Sequence, residues 1–285
     1  MSLSLSVDIK GFGAPVLLLH GIPGSKATWT GVATDLQRNH RTIVPDLLGF
    51  GQSPPFRGDG HAAEQAAAIV STLDEQGLDR VHVAGFDFGG PAAVMLYRIA
   101  AERVLSLTLS ATNVFTDTPV PFPLRIARVP AIGSAAFRIL CSKWGLSAMW
   151  AGATGDRSAF THRAFAASRG GTTAIRSTAK IFHASLSDLP RYYAEIEATL
   201  PLIDVPVSVV WGDRDPFFPL EVARRTAAAI PNAALTILEG CGHFIPGERP
   251  HELASIIAKT IATPVRRTRR TAGGATDSLS RGAAR

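Results

Sequence analysis

Three loops of this sequence carry residues that could act on a molecule together. The stretch VAGFDFGGPAA (residues 83–93) runs an apolar strand into a Gly-x-Asp-x-Gly-Gly turn and then into a helix of small residues. Such a turn lifts its central side chain, here Asp87, out of the backbone, and Gly85 and Gly89 let the chain close tightly around it. A carboxylate at a helix N-terminus is favoured in its ionised form by the free amides and the macrodipole. Asp is also a good helix N-cap, and GFDFGG alone leaves both readings open. The second loop, in VVWGDRDPFFP, offers Asp213 and Asp215, and the third, in LEGCGHFIPGERP, offers His243. Nucleophile, acid and histidine follow one another along the chain, each after an expected strand and each with Gly nearby. That order lets an acid orient a histidine and the histidine act as a base.

A fourth loop, HGIPGSKATW (residues 20–29), follows the apolar run VLLL. Its Gly and Pro residues force a sharp path and free amides to face a ligand. Backbone N–H groups of Ile22 and Phe88 would form an oxyanion hole beside Asp87. His20 is expected to be a structural hydrogen-bonder.

These loops need a frame. Short apolar runs alternate with helical patterns, which predicts an α/β fold, a mostly parallel sheet with helices on both faces. Strands are expected at 16–19, 41–44, 81–84, 105–110, 207–211 and 234–238, with an antiparallel edge strand at 4–9. Helices are expected at 31–39, 61–76, 89–101, 219–230 and 252–262. Residues 113–200 break the rhythm. They open on the proline-rich TDTPVPFPLRIARVP and continue as amphipathic helices without convincing strands. The expected organisation is a core built from 1–112 and 201–263, a helical cap over 113–200, and a tail over 264–285. The cap would cover the carboxyl ends of the strands, where open α/β sheets place ligands.

A chain of 285 residues can bury a large core. With 46% hydrophobic and 18% charged residues it reads as a globular protein. No apolar run is long enough to span a bilayer, and MSLSLSVDIKGFG has neither a basic n-region nor a long apolar h-region, so a cytoplasmic location is expected. Cys141 and Cys241 make no disulfide framework or metal-ligand pair. Cys241 stands two residues from His243 and is expected to be a small packing residue. The net charge of +6 is concentrated in the last 22 residues, where six Arg and one Asp give +5. That Gly/Ala/Ser/Arg tail cannot bury enough to order itself and is expected to be disordered. The body gives no reason to expect nucleic acid or membrane as a partner.

The chain resembles the α/β-hydrolase superfamily over residues 1 to about 262, and PDLLGFGQSP (45–54) matches that family's usual loop. An aspartate at the elbow is similar to the epoxide hydrolases and haloalkane dehalogenases. The resemblance implies Asp87 as nucleophile, His243 as base and Asp215 as its orienting acid. The family pattern W-G-x-x-D falls on Trp211, Gly212 and Asp215, which leaves Asp213 as a turn residue. A carboxylate displaces a leaving group from saturated carbon to give an alkyl-enzyme ester, which water then cleaves. With an acyl substrate it would give only a mixed anhydride, so Asp87 points to C–O or C–halogen cleavage.

Dehalogenases of this branch place Trp after the nucleophile and many place Asn after His-Gly. Here those positions are Phe88 and Ile22, whose side chains donate nothing. The Arg that fluoroacetate-type relatives place after the nucleophile is also absent. HGIP matches the epoxide hydrolases, which usually supply two cap tyrosines to the opening oxygen. This sequence offers Tyr192 and Tyr193. Neighbours on a helix stand about 100° apart, so one of them, Tyr193, is expected to face the cavity. Trp144, Trp150, His162 or His183 would have to supply the second donor. The expected function is epoxide opening, with dehalogenation or another α/β-hydrolase activity of the same triad, and a non-catalytic binding protein, as alternatives. The substrate is expected to be small and hydrophobic or aromatic. No cofactor follows, and a homodimer is left open.

Overall fold

Alternation of side chains decides the architecture. The computed structural model describes residues 4–120, 125, 139–140, 142–169 and 171–264. Among them the strands are β1 (Val7–Lys10), β2 (Ala14–Leu19), β3 (His40–Pro45), β4 (Val81–Phe86), β5 (Val104–Ser110), β6 (Val207–Gly212) and β7 (Ala234–Leu238). The helices are α1 (Thr30–Leu36), α2 (Ala62–Glu75), α3 (Gly89–Ile99), α4 (Lys143–Ala153), α5 (His162–Ser168), α6 (Gly171–Ser187), α7 (Leu189–Thr199), α8 (Leu220–Ala229), the single turn α9 (Ile245–Glu248) and α10 (Pro250–Ala262).

On β2, Leu17 and Leu19 pack into one core and Val16 and Leu18 into another. Successive strand residues point to opposite faces, so a strand apolar at every position has to be covered on both. The first core takes Ile69 and Leu73 of α2, Leu96 of α3 and Val222 of α8. The second takes Val32 and Leu36 of α1 and Leu253 and Ile257 of α10, with Trp29 between them.

The strands form one sheet in the order β1-β3-β2-β4-β5-β6-β7. β1 runs antiparallel to β3 and all other pairs are parallel. The chain builds outward from β2 to β3, then returns through α2 to β4 on the other side of β2. The crevice beyond the carboxyl ends of β2 and β4 is therefore the switch point where such sheets bind ligands. Leu19 pairs with Gly85 there, which brings the HGIP loop against the Asp87 turn.

Element bounds differ from expectation where local hydrogen bonds intervene. The edge strand begins at Val7, not residue 4, because Leu5 N–H donates to Thr72 Oγ1 and Ser6 N–H to Ser53 Oγ. Helix α1 stops at Leu36, not residue 39, because Arg38 and Asn39 donate three residues back, to Asp35 and Leu36, in a tight turn into β3. Helix α10 starts two residues early, at Pro250, a residue suited to a first turn. The turn α9 is absent from the sequence reading.

Between β5 and β6 the described residues hold α4 to α7 and no strand. The proline-rich run lies largely outside the described residues. So do Cys141 and, after Pro264, the basic tail. No helix among the described residues is long and apolar enough to cross a membrane.

Candidate active site

Asp87 sits on the turn between β4 and α3 with φ of +51°, a left-handed conformation that costs a non-glycine residue about 1–3 kcal/mol. The turn is held by Asp87 N–H donating to Ser110 O and Gly90 N–H donating to Asp87 O. Helix α3 places its capping position on Phe88, not on Asp87. The Asp87 carboxylate instead reaches the neighbouring loop, where Oδ1 accepts 2.8 Å from Ile22 N–H. Two glycines make this closeness feasible. A Cβ on Gly21 would stand 2.5 Å from Asp87 Cβ, and one on Gly89 would stand 2.1 Å from Leu19 O.

The HGIP loop is braced from behind. His20 is fully buried; its Nδ1 lies 2.7 Å from Gly21 O, and its Nε2 accepts from Leu47 N–H at 3.0 Å. Burial lowers its pKa against the pull of these neighbours, so the ring is neutral and structural, as its sequence context suggests. Asp46 ties the loops together by accepting from Lys26 and Gln52 N–H.

His243 follows β7, and Asp215 follows β6. His243 Nδ1 is 2.9 Å from Asp215 Oδ2, and Nε2 is 3.7 Å from Asp87 Oδ2. Asp215 Oδ1 accepts from the N–H groups of Phe217 and Phe218, which fixes the carboxylate that orients the ring. Phe86, Phe217, Phe218 and Phe244 surround His243 at centroid distances between 4.9 and 5.7 Å. Burial alone would lower the His243 pKa. The charge and hydrogen bond of Asp215, followed by the nearby Asp87 carboxylate, outweigh it and push the group up to about 10. Asp213 is exposed on the same turn. Cys241 is fully buried in the second core, and burial raises its thiol pKa.

Glu248, which the sequence reading passed over, fastens the histidine loop to the helical segment. Its Oε2 accepts from Gly155, Asp156 and Gly242 N–H at 2.8, 2.9 and 3.0 Å. His243 N–H itself donates 2.8 Å to Ala153 O, at the end of α4.

The expected binding residues separate. Ile196 and Thr199 form the buried stripe of α7 together with Tyr193. The Tyr193 pKa is raised first by burial and then by the charge of Asp87. Tyr192 is half-buried, and burial followed by the charge of Asp59 raises its pKa. Both tyrosine rings pack on one residue, His61, at 4.5 and 5.4 Å. Trp150 lies a layer further out, and its N–H is taken by Phe160 O at 2.9 Å. Trp144 is 88% exposed, and His162 is exposed with Nε2 on Ser147 Oγ. Among the described residues no hydrogen bond or ring contact joins these three to Asp87. The His183 side chain lies outside the described residues. A narrow cleft of about 30 Å³ beside His243 is lined by Ile22, Pro23, Phe160, Phe165 and Phe244, among others, with room for a water.

Residues 16–256 match the alpha/beta hydrolase family. The chain belongs to that family. Among relatives of this hydrolase is a protein named haloalkane dehalogenase 2 of Mycobacterium tuberculosis, 27% identical over 87% of this chain and 88% of the relative. Another is a 2-hydroxy-6-oxononadienedioate/2-hydroxy-6-oxononatrienedioate hydrolase of Paraburkholderia xenovorans, 27% identical over 90% of both chains. The hydrolase fold also superposes on the solved epoxide hydrolase CorEH with a TM-score of 0.74 and 21% identity, over 90% of this chain and 94% of the other.

Proposed function

We propose that this hydrolase opens an epoxide through an ester on Asp87 and releases a vicinal diol. The observation that carries the reading is the carboxylate at the elbow. It is held by Ile22 N–H on one oxygen and faces the Asp215-oriented His243 on the other.

Asp87 attacks an epoxide carbon and Tyr193 protonates the opening oxygen. The raised pKa of Tyr193 keeps its proton in place while Asp87 is charged. Esterification removes that charge, which eases the proton's release. The same change removes the Asp87 contributions that help hold His243 protonated. Formation of the ester thus brings the base toward its working, neutral form. His243 then takes a proton from water as it attacks the Asp87 carbonyl, with Ile22 N–H and Phe88 N–H serving the oxyanion. Proton gained and proton lent cancel over the cycle. Residues 113–200 act as the cap, and the substrate is small and hydrophobic or aromatic, in keeping with the phenylalanines around His243.

The named dehalogenase relative favours a second reading, in which the same ester forms with loss of halide. Both are tested by incubating His243→Gln with aryl and alkyl epoxides and haloalkanes and weighing the intact protein. A gain of the full epoxide mass, absent in the Asp87→Asn double variant, supports the first. A mass lower by hydrogen halide supports the second. No adduct from either set would overturn both.

A further inference from the structure

His61 stands just before α2, outside the triad, yet its surroundings are those of a binding group. The residue is 4% exposed, and its Nε2 is shut from solvent with no hydrogen-bond partner among the described residues. Buried nitrogens in folded chains are nearly always paired. An orphan beside a reaction centre therefore marks a place held for a polar atom that arrives. The ring stands edge-on to Phe88 at 5.6 Å and to Tyr193 at 5.4 Å. Phe88 is the residue after Asp87, and Tyr193 feels the charge of Asp87. Burial pushes the imidazole down to about 4 against a smaller opposing pull from Asp59. At neutral pH the ring is thus uncharged, with one N–H to give.

Resting on the function proposed above, we infer that His61 is a substrate-binding residue whose Nε2–H holds the epoxide oxygen together with the Tyr193 hydroxyl. As the ring opens, an Asp87 oxygen forms the new C–O bond and the epoxide C–O bond breaks, its electron pair going to the ring oxygen. Tyr193 delivers the proton; His61 donates a hydrogen bond and keeps its own. This supplies a second donor where the Trp150 N–H is already taken by Phe160 O, the His162 Nε2 is on Ser147 Oγ and Trp144 is exposed. It also sets the substrate class, because an ether-type oxygen is a far better acceptor for a neutral N–H than a carbon-bound halogen.

The test follows ester formation by intact mass in the His243→Gln background, with whichever epoxide of the panel reacts fastest. Adding His61→Phe, which keeps a ring and removes the donor, is expected to slow esterification on the order of 10- to 100-fold. Adding His61→Gln, whose side-chain amide can reach the same point, is expected to recover most of that rate. Equal rates for the Phe variant and its parent would overturn the inference. So would a Gln variant as slow as the Phe variant, since that marks a packing role. If His243→Gln with His61 intact gives no epoxide adduct, the functional reading fails first and this inference falls with it.

Discussion

His243 Nε2 and Asp87 Oδ2 stand 3.7 Å apart, beyond hydrogen-bond length, while the other ring nitrogen is fixed at 2.9 Å on Asp215. The base is thus oriented from behind and left open in front, toward the atom it must serve. Asp215→Asn would reverse that orientation, because an amide can donate to Nδ1 and select the wrong tautomer. Turnover should fall by roughly 10³- to 10⁴-fold, with a single equivalent of ester still forming on Asp87. Stopped-time mass spectra of the intact protein would show the trapped ester. An Asp215→Asn enzyme with normal turnover would remove Asp215 from the mechanism.

The same pair sets a pH dependence of stability. The folded pKa of His243, about 10, lies above its ordinary value of 6.5. The folded state therefore binds the proton more tightly, and this contribution is full below pH 6.5 and lost as pH rises through 10. Thermal unfolding from pH 6 to 10.5 should show a decline that His243→Gln flattens. Parallel curves for the two proteins would refute it.

Gly21→Ala tests the closeness of the two loops. The added methyl would lie 2.5 Å from Asp87 Cβ and 2.6 Å from Oδ1, so the nucleophile has to move. A displacement near 1 Å can cost about 10²-fold in rate. Esterification should fall by at least that much, while circular dichroism stays native. Undiminished esterification would show that Asp87 needs no such exact seat.

Glu248→Ala should be among the more damaging single changes. It strands the buried Gly242 N–H and the half-buried N–H groups of Gly155 and Asp156, so a loss on the order of 1–3 kcal/mol is expected in chemical denaturation. Glu248→Gln keeps an acceptor and should lose less. A Glu248→Ala protein as stable as the parent would show that the amides find other partners.

The candidate site is legible in the sequence because each of its three members follows a strand, and parallel strands deliver all their carboxyl ends to one edge. Asp87, Asp215 and His243 meet for that reason alone. Tyr193 could be favoured over Tyr192 from the burial expected along α7, but both packing on His61 could not. That contact needs the start of α2 to meet α7, an encounter no local spacing encodes. Glu248 is illegible for the same reason: its partners Gly155 and Asp156 lie more than ninety residues earlier. Trp144 and Trp150 look alike in sequence, and only the packing of α4 sends one outward.

The fastening at Glu248 also constrains how this enzyme can admit its substrate. One carboxylate grips the chain just past α4 and the residue before His243, and the His243 amide is itself bonded to Ala153. Any swing of that end of the helical segment would carry the base off its station. Under the proposed mechanism, substrate traffic through that side would therefore displace His243 each time it passed, and water could not be activated in a gaping site. The helical segment and the histidine loop are tied by one carboxylate and one backbone hydrogen bond.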